Sequence, residues 1–252
     1  MPENSNDTGF GNNIIFGRNP VLEAIRSGRE IDRLYVAHGT KSGSISEIIA
    51  KCSSRGILIK EISPVKLDYY CGGGNHQGVA ITVAAHSYAT VEEILALAEG
   101  KDEPPFIVIC DEIEDPHNLG AIIRTADACG VHGIIIPKRR SASLNATVAK
   151  TSAGALEFVK VARVTNIASE IDSLKKKGVW IYGADMNGKS YDTVDFSGPV
   201  ALVIGNEGKG IGALVSKKCD QMISLPMKGA VNSLNASVAA GVLMYAVSGK
   251  RK

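Results

Sequence analysis

The apolar positions alternate between a helical spacing and short strand runs along most of the chain. From Ile14 to about Ala85, PVLEAIRSG and SISEIIAKCSSRG repeat at helical spacing and PVKLDYYCG makes a shorter helix, while IDRLYVA, GILIKEI and QGVAITVAA read as strands. A polar start, MPENSNDTGFGNN, precedes this unit. HSYATVEEILALAEGKDEPP follows it as a linker with a short helix, closed by Pro104 and Pro105. A second alternation then begins, with FIVIC, GIIIP, VKVARV, VWIYGAD, PVALVIG and QMISLP as strands. Helices are expected over 116–129, around Lys150, over 166–177, near 210–218 and from about Ser233 onward. Uninterrupted apolar strands such as FIVIC and ALVIG belong in a parallel sheet covered on both faces. The organisation expected is therefore a flexible tail (1–12), a small α/β domain (13–86), a linker (87–104) and a larger α/β domain (105–252).

Composition narrows the class. Of 252 residues, 44% are hydrophobic and 21% charged, which fits a folded α/β protein rather than a disordered chain. The net charge of +2 gives no general preference for an acidic partner, so only PKRR (137–140), KKK (175–177) and the terminal GKRK could supply one locally. Five cysteines without CxxC or Cys/His spacing argue against disulfides and zinc, and place the chain in a reducing compartment. The uncharged run from Gly229 to Gly249 contains Asn232, Ser233, Asn235 and Ser237, too polar for lipid. With no signal peptide, the expected location is the cytoplasm.

Four stretches carry candidate chemistry. GADMNGKS (183–190) matches the phosphate-loop pattern, but a working loop needs a helix immediately after it, and SYDTVDFSGP is a poor helix start, so a surface turn without nucleotide is expected. GNEGKGIG (205–212) follows the buried strand ALVI and lacks dinucleotide-loop spacing, yet its glycines at a strand's C-terminal end allow a ligand close to the backbone. In DPHNLGAIIRTADACG, Asp115 can cap a helix with Pro116 at its first position. Arg124 lies off the apolar stripe, among Gly120, Ala121 and Ala128, as if another backbone or a phosphate-bearing ligand approached. In ISLPMKGAVNSLNASVAAG, Asn232 or Ser233 can cap the last helix, leaving further polar side chains for a pocket. His76 and Gln77 stand evenly between an RNA contact and a plain turn.

Taken in order, NLGAIIRTADACG, LVIGNEGKGI and ISLPMKGAVNSLNASVAAG resemble the three motifs of the SpoU (TrmH) family of S-adenosylmethionine-dependent RNA ribose 2′-O-methyltransferases. FGRNPVLEAI and NHQGVAI resemble the L7Ae-like substrate-binding domain of its RlmB-like branch, which acts on a guanosine of large-subunit (23S) ribosomal RNA. The resemblance implies an α/β fold: a trefoil-knotted (SPOUT) parallel-sheet methyltransferase domain, working as a homodimer, with a smaller L7Ae-like α/β N-terminal domain. It also implies a catalytic set of Arg124, Asn118, Glu207, Ser233 and Asn235, and S-adenosylmethionine held by Gly183, Gly205, Leu225 and Leu234. No metal, nucleotide triphosphate or membrane is implied. A guanidinium stays protonated in proteins, so Arg124 is expected to orient the ribose and stabilise the developing alkoxide rather than act as a base. Small residues on two helices, Gly120, Ala121 and Ala128 with Ala236, Ala240 and Gly241, are expected to face the partner subunit. The competing readings are the same chemistry on transfer RNA, and a non-catalytic RNA-binding assembly factor; the second would be expected to have lost Arg124, Asn118 or the NSLN run.

Overall fold

The computed structural model describes residues 13–40, 43–84, 86–230 and 233–251. The chain divides into two compact units, one comprising residues up to Ser87 with Ser143–Ala146, the other Tyr88–Ala142 with Thr147–Lys252.

In the smaller unit, β1 (Ile14–Phe16), α1 (Arg18–Arg26), β2 (Ile31–Ala37), α2 (Ser44–Ser54), β3 (Leu58–Ile62), α3 (Pro64–Tyr70) and β4 (Val79–Val83) alternate along the chain. The sheet order is β1-β4-β2-β3, with β2 and β3 parallel and β4 antiparallel to both β1 and β2. Alternation along β2 divides its side chains between two faces. Leu34 and Val36 pack with Val21, Ile25, Ile45 and Ile48 from α1 and α2, whereas Tyr35 and Ala37 pack with Leu67 and Cys71 at α3. β1 has only three residues, too few to register as a periodic run in sequence.

The larger unit opens with α4 (Val91–Gly100), whose Thr90 and Glu93 form a capping box. The segment expected to be a linker is not a spacer. Val91 and Ile94 are buried with Ile107, Ile135 and Ile181, and Gly133 is bare because a Cβ there would stand 2.5 Å from the Ile94 side chain. The rest runs β5 (Phe106–Cys110), α5 (Pro116–Ala128), β6 (Gly133–Pro137), α6 (Ala146–Thr151), β7 (Lys160–Val164), α7 (Ile167–Lys176), β8 (Trp180–Ser190), β9 (Val200–Ile204), α8 (Ala213–Lys218), β10 (Gln221–Ser224) and α9 (Ala236–Ser248). Six parallel strands lie in the order β10-β8-β9-β5-β6-β7. Every residue of β5 and β9 is buried, so each large apolar side chain there contributes on the order of 1.5–3 kcal/mol.

β8 is longer than expected and irregular. Its pairing with β10 jumps from Gly183↔Met222 to Lys189↔Ile223, so the intervening residues on β8 bulge out of register, with Asp185 Oδ1 accepting the Asn187 N–H at 2.8 Å. The GADMNGKS stretch is therefore a bulged strand rather than the expected surface turn. It is followed by a single 3-10 turn, Tyr191–Thr193, and not by a phosphate-facing α-helix.

The terminal GKRK run is structural where it is described. Lys250 Nζ donates to the Val194 carbonyl at 2.6 Å, and Arg251 donates to the carbonyls of Gly198 (3.0 Å) and Pro104 while lying over the Phe106 ring.

Candidate functional site

The C-terminal ends of β5, β8, β9 and β10 meet at one edge of the parallel sheet, where open α/β sheets place ligands. Three loops converge there. The loop after β5 begins at Asp111, which is buried; burial raises its carboxyl above the usual aspartate range, opposed by the Gly212 N–H that its Oδ2 accepts at 2.7 Å. The loop after β9 folds back on itself through reciprocal backbone hydrogen bonds between Asn206 and Gly210. Inside it, Asn206 Oδ1 accepts the Gly208 N–H (2.9 Å), while Asn206 Nδ2 donates to the Glu112 carbonyl (3.1 Å). This fold needs glycine at 205, because a Cβ there would lie 2.2 Å from the Gly210 carbonyl carbon.

A directed hydrogen-bond chain then joins three separate stretches. Asn235 is the N-cap of α9, in place of the expected Asn232 or Ser233; Asn232 lies outside the described residues. Its Oδ1 accepts the Ser237 N–H (2.9 Å) and hydroxyl (2.6 Å), so its Nδ2 is turned the other way and donates to Asn118 Oδ1 at 2.9 Å. Asn118 Nδ2 is thereby aimed at Glu207 Oε1, to which it donates. The helix cap thus sets the orientation of both amides, which the heavy atoms alone would leave ambiguous. Asn118 itself is buried in the first turn of α5, whose N-cap is Asp115, accepting the His117 N–H at 2.9 Å.

Beside this chain is a cavity of about 520 Å³, within the usual range for small-molecule sites. Its walls include Gly205 and Glu207 from the loop after β9, Asp185 and Asn187 from the β8 bulge, and Leu225 after β10. Ser233 and Leu234 before α9 complete the rim, and Ile204, Ile223 and Leu243 form an apolar floor. Backbone approach at Gly205, apolar walls and nearby carboxylates suit an amphipathic cationic molecule of nucleoside size.

Most of the residues picked out in the sequence meet here, with two departures. Gly183 does not line the cavity: it is buried where β8 meets β10, and a Cβ would stand 2.7 Å from Met222 Sδ and 2.9 Å from Cys219 Sγ. Arg124 is exposed on α5, forms no hydrogen bond or ion pair with a described residue, and is not part of the cavity wall. The small residues around it also divide differently than expected. Gly120 is buried against α6, where a Cβ would lie 2.6 Å from Thr151 Cβ, and Ala236 and Ala240 are buried within the protomer. The exposed face of α9 instead carries Val238, Val242 and Tyr245, which with Ala121, Thr125 and Gly241 line a shallow groove. Asp111, Asn206 and the Asp185–Asn187 bulge escaped the sequence reading; the one signal available for Asp111 was its position at the C-terminal end of a wholly apolar strand.

In the smaller unit, His76 and Gln77 are tied inward. His76 joins Asp68 Oδ1 (3.0 Å) to the Gly78 N–H (2.9 Å), and Gln77, at φ 51°, receives the Arg18 N–H at the start of α1 (3.0 Å). This supports the plain-turn reading of that loop.

Comparison with known proteins agrees with this arrangement. Residues 105–245 match the SpoU rRNA Methylase family, and residues 14–89 match the domain described as RNA 2′-O ribose methyltransferase substrate binding. YacO of Bacillus subtilis strain 168, assigned to the TrmH family of tRNA/rRNA methyltransferases, is 49% identical, covering 94% of this chain and 95% of its own length. Staphylococcus aureus proteins with the same family assignment are 46% identical over 94% of the chain and 96% of theirs. Among solved structures, the SpoU methyltransferase AviRb of Streptomyces viridochromogenes, in complex with AdoMet, aligns at TM-score 0.60 and 24% identity, covering 94% of this chain and 89% of its own. An AdoMet-bound rRNA methyltransferase from Sinorhizobium meliloti aligns at TM-score 0.56 and 24% identity over 93% and 85% of the two chains. The A. aeolicus TrmH/SpoU tRNA-modifying enzyme aligns at 0.55 and 28% identity, but over 63% of this chain and 82% of its own. With both domains matched and the curated relatives aligned along nearly their full length, the chain belongs to the SpoU (TrmH) family of RNA methyltransferases.

Proposed function

We propose that the chain methylates the ribose 2′-hydroxyl of a guanosine in large-subunit ribosomal RNA, using S-adenosylmethionine. The observation that carries this reading is the chain Glu207–Asn118–Asn235 beside the glycine-lined cavity, which joins all three sequence motifs at one sheet edge. When bound, S-adenosylmethionine supplies an electrophilic methyl group. Gly205, Leu225 and Leu234 would hold it, largely through backbone groups and apolar contact, with Ser233 at the rim. Glu207, held by Asn118, keeps a carboxylate at the cavity wall. Arg124 presents an exposed guanidinium without a partner among the described residues, suited to gripping a phosphate or the ribose and to stabilising an alkoxide as it forms. In-line placement of the reacting atoms supplies most of the acceleration in such a transfer.

Ribosomal rather than transfer RNA is favoured by the substrate-binding domain. The Sinorhizobium rRNA methyltransferase covers 93% of this chain, whereas the A. aeolicus tRNA-modifying enzyme covers 63%. Insertion of β9 between β5 and β8, with β10 on the far side of β8, supports reading the larger domain as the family's trefoil knot. The exposed stripe of Val238, Val242 and Tyr245 supports a homodimer closed on the α5–α9 groove, working in the cytoplasm with its cysteines reduced.

The test is mass-spectrometric mapping of ribose methylation in ribosomal and transfer RNA from cells with and without the gene. Loss of one 2′-O-methylguanosine from large-subunit RNA is expected. Loss from transfer RNA alone would move the substrate, and unchanged maps would overturn the reading.

A further inference from the structure

The smaller unit covers its sheet unequally. One face is filled by α1 and α2, whereas the other has only the seven-residue α3, which packs Leu67, Tyr70 and Cys71 over Tyr35, Ala37, Ile62 and Ala80. Register then decides what remains on that second face. Arg33, Tyr35 and Ala37 of β2 stand beside Leu58, Lys60 and Ile62 of β3, so Arg33 and Lys60 share the α3 side of the sheet. Lys60 is exposed and Arg33 half-buried, with its guanidinium 6.0 Å from the Tyr35 ring centroid. From α3 come Lys66, its ammonium 5.7 Å from the centre of the Tyr70 ring, and Tyr69, which is 61% exposed. Tyr70 is wedged edge-on against Tyr35 at 5.3 Å and lies 6.3 Å from Tyr69, so the outer ring is backed by a rigid aromatic row.

Cations lie on the open side of this row. Neither Lys60 nor Lys66 forms an ion pair with a described residue; of the neighbouring carboxylates, Asp68 is engaged by His76, and Glu61, on the opposite side of β3, faces His38. A face that only needed to be wet would not combine an exposed ring, a ring stack behind it and three cations that form no ion pair with a described residue. That combination suits a flexible polyanion with flat, unstacked groups: phosphates meet the cations while bases lie on the tyrosines.

We propose that the α3 side of this sheet, with Arg33, Lys60, Lys66, Tyr69 and Tyr70, is a docking surface for unpaired RNA. The proposal deepens the reading of the chain as an RNA-modifying enzyme and rests on it. Base stacking falls chiefly to Tyr69, backed by Tyr70, and the phosphates run past Lys60, Lys66 and Arg33. The duplex form of the same sequence, its bases already stacked, is a poorer ligand.

The test uses the full-length chain without cofactor, measuring binding of a fluorescein-labelled single-stranded RNA of mixed sequence and of a large-subunit ribosomal RNA transcript across a salt series. The double reversal Lys60→Glu/Lys66→Glu should weaken both by at least about tenfold and flatten the logarithmic salt dependence by roughly two phosphate contacts. Tyr69→Ala should cost about five- to tenfold on single strands with the slope unchanged, and Tyr69→Phe should restore binding. Lys176→Glu/Lys217→Glu, a reversal of equal size on the larger unit, should cost less than the first pair. Binding within about twofold of wild type in the patch variants, equal loss in the control pair, or equal affinity for duplex would each overturn the surface. Because binding is read without methyl transfer, the two proposals fail separately. Patch variants that bind normally while wild type methylates RNA sink only the surface; a wild type that binds through the patch yet methylates no RNA sinks only the enzymatic reading.

Discussion

The two sheets of this protein have opposite relations to solvent. In the six-stranded parallel sheet, the central strands β5 and β9 are buried along their whole length, so neither of their faces is available for recognition, and the polar groups of the cavity come from the loops at the strand ends and from the β8 bulge. In the four-stranded sheet, β3 is exposed at its three central positions, and a short helix leaves part of one face open. A doubly covered sheet makes a rigid anvil whose edge can hold polar groups in fixed geometry; a half-covered one offers area. The difference teaches that reaction and surface recognition need different kinds of β-sheet, and substitutions can probe it from either side.

The strongest probe is Arg124→Ala. Its side chain contributes to no core, so the fold and cofactor binding should survive, whereas kcat/KM for methyl transfer should fall by roughly 10²–10³, about 3–4 kcal/mol of transition-state stabilisation. Single-turnover methylation with saturating cofactor, alongside calorimetric cofactor binding, separates the two. Activity within about threefold of wild type would remove Arg124 from the chemistry.

Next in size is Gly205→Ala, which strikes the edge of the large sheet without touching the small one. The added Cβ would lie 2.2 Å from the Gly210 carbonyl carbon, and backbone cannot swing aside as a long side chain can. The loop must open, breaking the Asn206–Gly210 pair and displacing Glu207 from Asn118. An overpacking cost of about 1–3 kcal/mol in thermal stability, with a larger proportional loss of cofactor affinity, is expected. Unchanged affinity would show that the cavity does not depend on this loop.

How much of this was legible from sequence follows the same contrast. The buried strands of the large sheet announce themselves, because FIVIC and VALVI are apolar at every position and only a doubly covered strand tolerates that. The Glu207, Asn118 and Asn235 positions were legible as motif residues, but the direction of their hydrogen-bond chain was not, since it is set by which residue caps α9, and Asn232, Ser233 and Asn235 are all competent caps by type. The bulge of β8 was hidden for a different reason. Its residues leave register in the pairing with β10, where Met222 and Ile223 stand opposite Gly183 and Lys189, a fact about the partner strand that GADMNGKS alone does not carry. α4 was misplaced as a linker because what seats it is the absence of a side chain at Gly133, far along the chain from Ile94.

A smaller effect, also confined to the large unit, concerns pH. His132 is buried just before β6; its Nδ1 accepts the Phe106 N–H at 3.0 Å, so the proton of the neutral ring sits on Nε2, facing Glu103 at 3.0 Å. Burial lowers its pKa below the ordinary histidine value, although Glu103 pulls the other way. A group whose folded pKa is depressed stabilises the fold above its unfolded value and loses that contribution as pH falls toward the folded one. Stability should therefore drop as pH falls below the ordinary histidine value of 6.5. Denaturant midpoints measured from pH 8 to 5 should show this slope, and His132→Gln, which can still accept from Phe106, should flatten it. A slope that persists in the variant would assign the effect to another group.

The smallest expected effect is the most direct check on how the edge of the large sheet is read. GADMNGKS has the spacing of a phosphate loop, and such a loop works by pointing successive backbone N–H groups and a helix N-terminus at the phosphates, with its lysine reaching the outer ones. None of that geometry is present. Gly188 is pressed against β10, where a Cβ would lie 2.5 Å from the Ile223 nitrogen; Lys189 is exposed and back in register opposite Ile223; and the chain continues into a single 3-10 turn. The residues between Gly183 and Gly188 serve the cavity instead, with Asp185 and Asn187 on its wall. Lys189→Ala should consequently change methylation and stability by less than about 0.5 kcal/mol, the usual size for an exposed substitution. Equilibrium dialysis with magnesium and ATP should show no saturable binding to either protein. Saturable ATP binding that disappears in the variant would overturn this account of the bulge, and with it the claim that this sheet edge is shaped for one nucleoside-sized molecule rather than two.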